Sequence, residues 1–363
     1  MKSNKLLAVA ACCAMVLISV SCGKEKSKVS EEQKTFEPPK ASYGEKEITT
    51  TLAPIERTSK ESVSDWPVAD LSGDPDDSFT AEEHCYYEGD RYVIFIQKGV
   101  TVPGDTAKKI EYVMSSLEEL FGMSFDYMDD PSDNNWRYLY FDKEFEDVNP
   151  DCSKVNVLIT KNPHDGRVNW AMDTCAMLYE EDLQKDGSIY VAYHELAHVL
   201  QLRNAHELGQ VFHEGVAEYA EWYFAQKENY RDDSLDVFSR DEDGMLSYDE
   251  SEMLKDAEAA FVFENETSSG IFQRHYQYGF RFVSFLVDTY GIEVIKDICD
   301  MSLQFTFDYT RTDMIIRVLK EATSEDVFER FEKWLPEGWD QYTEECREYM
   351  RQFEEVPVSP TER

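Results

Sequence analysis

An α+β domain, with a mixed sheet in its first half and mostly helices in its second, is predicted by three observations. Short β-branched segments fall early, long apolar segments with helical spacing fall late, and the two do not interleave as repeated strand–helix units. The chain of 363 residues is 42% apolar and 13% aromatic, enough to fill one large core.

Each element has its own local reason. "RYVIFIQKG" (91–99) alternates and is β-branched, so it reads as a strand. In "PGDTAKKIEYVMSSLEELFG" (103–122), Ile110, Val113, Met114, Leu117, Leu120 and Phe121 recur at helical spacing, with Asp105 placed to cap the helix. "RYLYFD" (137–142) and "KVNVLIT" (154–160) are two more strands, and "NWAMDTCAMLYEE" (169–181) reads as an edge strand. "SIYVAYHELAHVLQL" (188–202) is a helix, apolar nearly all round and therefore buried. A second helix, "EGVAEYAEWYFAQKENY" (214–230), precedes an acidic stretch at 232–269. "HYQYGFRFVSFLVDTYG" (275–291) is a strongly apolar helix, and the chain from Ile292 onward reads as further helices.

The first residues, "MKSNKLLAVAACCAMVLISVSCGKEKS", combine Lys2 and Lys5 with an apolar run at 6–20 that is short for a membrane span. This is the pattern of a secretory signal. "ISVSCG" resembles a bacterial lipoprotein lipobox, with Ser19 standing where leucine is usual. That resemblance implies an exported protein of the bacterial cell envelope, anchored to the membrane by a lipid on Cys22. The expected organisation is a signal peptide over 1–21, a lipidated cysteine and polar tether over 22–80, a domain over 81–355 and a tail over 356–363. Trp66 and Phe79 are costly to expose, so the end of the tether is expected to pack on the domain.

A net charge of −38 repels phosphates, which excludes nucleic acid as a partner and leaves peptides or proteins open. Beyond the signal, Cys85, Cys152, Cys175, Cys299 and Cys346 form no C-x-x-C pair, although export would allow one or two disulfides.

The chemistry concentrates in "YHELAHVLQLRNAHELGQVFHEGVAEYAEWY" (193–223). On a helix His194 and His198 point the same way, so both imidazoles can hold one Zn²⁺ at about 2.0–2.1 Å. Glu195 lies about 100° round the helix, placed to take a proton from a zinc-activated water. A catalytic zinc needs a third protein ligand, and His206, His213 and Glu214 all follow within reach. The metzincin pattern is excluded, because Gln201 and Asn204 stand where it needs glycine and histidine.

Here the chain resembles the gluzincin metallopeptidases, whose second zinc helix supplies a glutamate. The "HELAHVLQ…EGVAEY" pair is similar to the version in small secreted and lipoprotein members. The resemblance implies a zincin-like metallopeptidase domain with Glu214 as third ligand and Glu218 as the acid that receives a ligating histidine's outer N–H. It leaves His206 and His213 as surface or rim residues. It also extends to "YQYGFRFVSFLVDTYG", where Tyr276 is implied as the oxyanion-stabilising hydroxyl, with His275 and Tyr278 as rivals.

A weaker pattern lies in "FSRDEDGMLSYDESEML". Asp241, Asp243 and Glu250 fall at EF-hand ligand positions, but Ser239 stands where the first aspartate belongs. The loop reads either as a Ca²⁺ site or as an acidic, solvated segment. Two functions remain at this level. One is an exported zinc metallopeptidase hydrolysing peptide bonds with Glu195 as general base. The other is a non-catalytic zinc-containing envelope binding or adhesion lipoprotein on the same scaffold. Glu195 speaks against the second, since a structural zinc has no use for a base.

Overall fold

The computed structural model describes residues 66–126, 153–161, 170–171, 175–184, 190–206, 208–230, 269–305 and 312–353. The signal, Cys22, the tether before Trp66, the strand expected at 137–142, Cys152, the loop carrying Asp241, Asp243 and Glu250, and the tail lie outside the described residues. The architecture is mixed α+β, with the sheet N-terminal and the C-terminal half helical.

Seven strands are described: β1 (Ser78–Thr80), β2 (Cys85–Glu88), β3 (Tyr92–Ile96), β4 (Thr101–Pro103), β5 (Val155–Thr160), β6 (Trp170–Ala171) and β7 (Cys175–Tyr179). β1 and β4 form an antiparallel pair, and the main sheet runs β2-β3-β5-β7-β6. Its three central strands are parallel, with β2 and β6 antiparallel at the edges. Both faces of that centre are covered, which is why β3 and β7 are apolar throughout and β5 is buried throughout, Asn156 and Thr160 being its polar members. Alternate residues still divide the work. Ile94, Ile96, Val157, Ile159, Ala176 and Leu178 face the helices, whereas Val93, Phe95, Leu158, Cys175 and Met177 form a second cluster on the other side.

This corrects the expectation for 169–181. The segment is two strands, and only β6 is at the edge; β7 is interior because all five of its residues are buried. The packed body also begins upstream of residue 81. Ala69 and Leu71 are buried in the core, and Trp66 stacks on His84 with its ring centre 5.3 Å away. Exposing those side chains would forfeit their burial energy, so the segment from Trp66 to Leu71 packs on the domain.

The helices are α1 (Thr106–Phe121), α2 (Glu180–Gln184), α3 (Tyr190–Asn204), α4 (Gln210–Glu228), α5 (Ser269–Tyr290), α6 (Glu293–Ser302), α7 (Thr312–Ala322) and α8 (Val327–Arg351). Asp105 does precede α1, but its side chain makes no capping bond and pairs instead with Lys109 at 3.2 Å. No helix among the described residues is long and apolar enough to cross a membrane. Cys85, Cys175, Cys299 and Cys346 are buried thiols, and the disulfides that export would permit do not join them.

α3 is the central helix, packed against α1, β7 and α4. Its C-terminal turn is fixed by polar bonds. Arg203 donates to the carbonyls of Phe125 (2.6 Å) and Lys154 (2.8 Å), and Asn204 donates to that of Ser124 (2.6 Å). These bonds satisfy carbonyls that would otherwise be buried without a partner. At the opposite end Tyr193 stacks on Phe224, ring centres 4.2 Å apart, and donates to Glu228 Oε1 at 2.5 Å. The start of α3 is thereby joined to the end of α4, and the two helices run antiparallel.

Candidate metal centre

Three helices meet at one point. α3 contributes His194, Glu195 and His198, α4 contributes Glu214, Glu218 and Glu221, and α5 contributes Tyr276. The approach of α5 to α4 depends on two glycines. A Cβ on Gly215 would stand 2.3 Å from the Gly279 carbonyl oxygen, and one on Gly279 would stand 2.3 Å from that of Val211. The backbones touch because neither residue has a side chain. Glu214 is the residue before one of these glycines, and Tyr276 lies one turn before the other.

The Nε2 atoms of His194 and His198 are 3.2 Å apart. Glu214 Oε2 lies 3.4 Å from the first and 3.3 Å from the second. That oxygen is buried and makes no well-formed hydrogen bond, so three donor atoms converge with nothing between them that satisfies the carboxylate. Atoms bound tetrahedrally at about 2.0–2.1 Å from one zinc would be separated by about 3.3–3.4 Å. The triangle therefore fits a zinc ion without rearrangement. The three side chains keep 12%, 13% and 15% exposure, so the site lies close beneath the surface. His194, His198 and Glu214 make a candidate metal site.

The far side of His194 is equally organised. Its Nδ1 lies 3.2 Å from Glu221 Oε2 and 3.6 Å from Glu218 Oε1. Glu218, implied by the resemblance as the acid receiving this N–H, is beyond hydrogen-bond distance, and Glu221 is within it. Sequence reasoning passed over Glu221, though its signal was present. Glu214, Glu218 and Glu221 follow i, i+4, i+7 spacing, one stripe of the helix. The crossing of α4 over α3 decides which of them reaches the imidazole.

This density of acids shifts the ionisations. Burial disfavours a charged His194, but Glu214 and Glu221, reinforced by Glu218 and Glu195, outweigh it and hold the imidazole well above its usual range. Burial would raise Glu214, but the charge of His198 and contact with both imidazoles hold it below the usual carboxylate range. For Glu218 burial dominates. His194 offsets it only in part while Glu221, Glu214 and Glu195 add repulsion, so the carboxyl is pushed up to about 8.

Of the other candidate histidines, one is placed differently from the expectation. His213 is not at the rim. It is 8% exposed and engaged through both ring nitrogens, receiving Leu208 N–H on Nε2 at 3.0 Å and meeting Gln201 Oε1 through Nδ1 at 3.0 Å. The helix expected over 214–230 starts earlier, at Gln210, which draws His213 into the packed interior. His206 is half-buried, with its main-chain N–H on Ser302. Neither belongs to the triangle.

Tyr276 places its ring centre 6.1 Å from that of His194. Its rival Tyr278 is buried edge-on against Phe331 at 5.4 Å, in the helical core. The side chain of His275 lies outside the described residues. Glu195 is buried, 5% exposed, within the same helix turn as the two imidazoles.

The fold and site together define a mixed α+β chain carrying a three-donor candidate metal centre on two consecutive helices. Among solved structures it is similar to a mutant M1 zinc metallopeptidase from Deinococcus radiodurans, bound to a Tyr-Ser-Ala substrate, with 15% sequence identity and a TM-score of 0.38. The match covers 71% of this chain and 51% of that one, so the chain spans about half the length of that enzyme. No family model and no curated protein matches the chain.

Proposed function

We propose that this protein is a zinc-dependent metallopeptidase of the gluzincin type, exported and lipid-anchored at Cys22 on the bacterial cell envelope. The observation that carries the reading is the His194–His198–Glu214 triangle, whose 3.2–3.4 Å edges match a zinc ligand set. The lipobox-like segment ending at Cys22 supports the export and the anchor.

His194, His198 and Glu214 would hold the ion, which when bound supplies Lewis acidity toward a carbonyl and makes water a stronger acid. The rest falls to the chain's own groups. Glu195 accepts the proton of the attacking water and returns it to the leaving amine. Its burial, at 5% exposure, strengthens its interaction with that proton. Tyr276 donates its hydroxyl to the oxyanion of the tetrahedral intermediate. Glu221 accepts the Nδ1–H of His194, which fixes the tautomer with the Nε2 lone pair facing the ion.

The test is zinc stoichiometry and peptide hydrolysis for the wild type and Glu195→Gln. The expected result is one zinc in both proteins and hydrolysis only in the wild type. Equal hydrolysis by the two would refute the mechanism, and a wild type that binds zinc but cleaves no peptide library member would favour the binding-protein alternative.

A further inference from the structure

We propose that Gln201 and His213 are positioning residues that set the register of α4 against α3 and so bring Glu214 to the imidazole pair. This rests on the metallopeptidase reading of that triangle. The two side chains form a closed clip. Gln201 Nε2 donates to the His213 main-chain carbonyl at 3.1 Å, and Gln201 Oε1 faces His213 Nδ1 at 3.0 Å. Leu208 N–H donates to His213 Nε2 at 3.0 Å, so the imidazole proton resides on Nδ1 and donates to Gln201. All the capacity of the His213 ring is thereby used, which removes it as a ligand although it adjoins Glu214.

The position of the clip gives it this role. Gln201 follows His198 by three residues and His194 by seven, on the same stripe of α3. His213 immediately precedes Glu214. Gln201 is fully buried at 0% exposure, one turn beyond the metal triangle. Tyr193–Glu228 and His194–Glu221 tie the two helices farther along, and between these polar bonds the buried residues are apolar, among them Leu196, Val199, Leu200, Val216, Ala217 and Ala220. Such surfaces hold helices together but resist sliding and rotation weakly, because burial energy has no direction. Hydrogen bonds do have direction. α4 also begins at Gly209 without a side-chain cap, and the Leu208–His213 bond ties the turn before it to its first turns. A ligand set tolerates displacements of about 0.5 Å, which makes register the quantity to control.

The experiment measures Zn²⁺ affinity of the full chain by chelator competition, at a temperature where circular dichroism shows each variant folded. Gln201→Met removes the clip from α3. His213→Asn keeps a donor near Nδ1 for Gln201, whereas His213→Gln keeps an acceptor near Nε2 for Leu208 and loses the Gln201 bond. Gln201→Met and His213→Gln are expected to weaken zinc binding roughly tenfold or more, with His213→Asn staying closer to the wild type. Wild-type affinity in folded Gln201→Met, or equal affinities of His213→Asn and His213→Gln, would overturn the inference. A wild type that binds no zinc would instead remove the metallopeptidase reading beneath it. A purely structural clip would lower melting temperature and leave the affinity of the folded protein unmoved.

Discussion

Replacing Gly279 by alanine reverses the usual sign of that substitution. In an ordinary helix interior, glycine to alanine stabilises by about 1 kcal/mol, because alanine loses less backbone freedom. At Gly279 the new methyl would lie 2.3 Å from the Val211 carbonyl oxygen and 2.9 Å from Gly215 N, whereas ordinary contact begins near 3.4 Å. α4 and α5 would have to part by roughly 1 Å, a shift of the overpacking kind that costs about 1–3 kcal/mol. The atoms it meets are backbone and cannot rotate away, so the upper part of that range applies and the net effect is a loss of about 1–2 kcal/mol. For a domain of this size that is a fall of roughly 2–6 °C in melting temperature. Calorimetric melts of wild type and Gly279→Ala, stripped of zinc, read it directly. An unchanged or higher melting temperature would show that the helices do not cross in contact, and the placement of Tyr276 beside His194 would lose its cause.

Other outcomes follow from the same geometry. Glu221→Gln is expected to weaken zinc binding roughly tenfold and Glu218→Gln by less, since Glu221 is the acid within bonding distance of His194 Nδ1; chelator competition reads both, and the reverse order would reassign the supporting acid. Zinc affinity is expected to keep rising as pH climbs past 7. The acids around His194 hold its protonated form well above the usual range, so zinc competes with a proton there until the pH exceeds that raised value. Falling pH therefore weakens binding by up to about 1.4 kcal/mol per unit for each proton displaced, and an affinity already flat by about pH 7 would contradict it.

The i, i+4 histidines with their intervening glutamate, a glutamate on the next helix and the strands-then-helices order were all legible in the chain, because each depends on spacing along one local element. Helical periodicity puts His194 and His198 on one face wherever the helix lies. Contacts between elements were not legible. Glu218 and Glu221 share a stripe of α4, and only the crossing of α4 on α3 selects Glu221 as the neighbour of His194. His213 looked free because its partners, Gln201 and Leu208, come from a different helix and from the turn. The segment at 169–181 read as one edge strand because alternation cannot reveal that β7 pairs with β5 and is covered on both faces. Local propensity and spacing act over one or two turns of chain, so the sequence by itself determined which residues could bind a metal. Which of them stand 3.2–3.4 Å apart was decided by helix packing, a distance set between surfaces far apart in sequence.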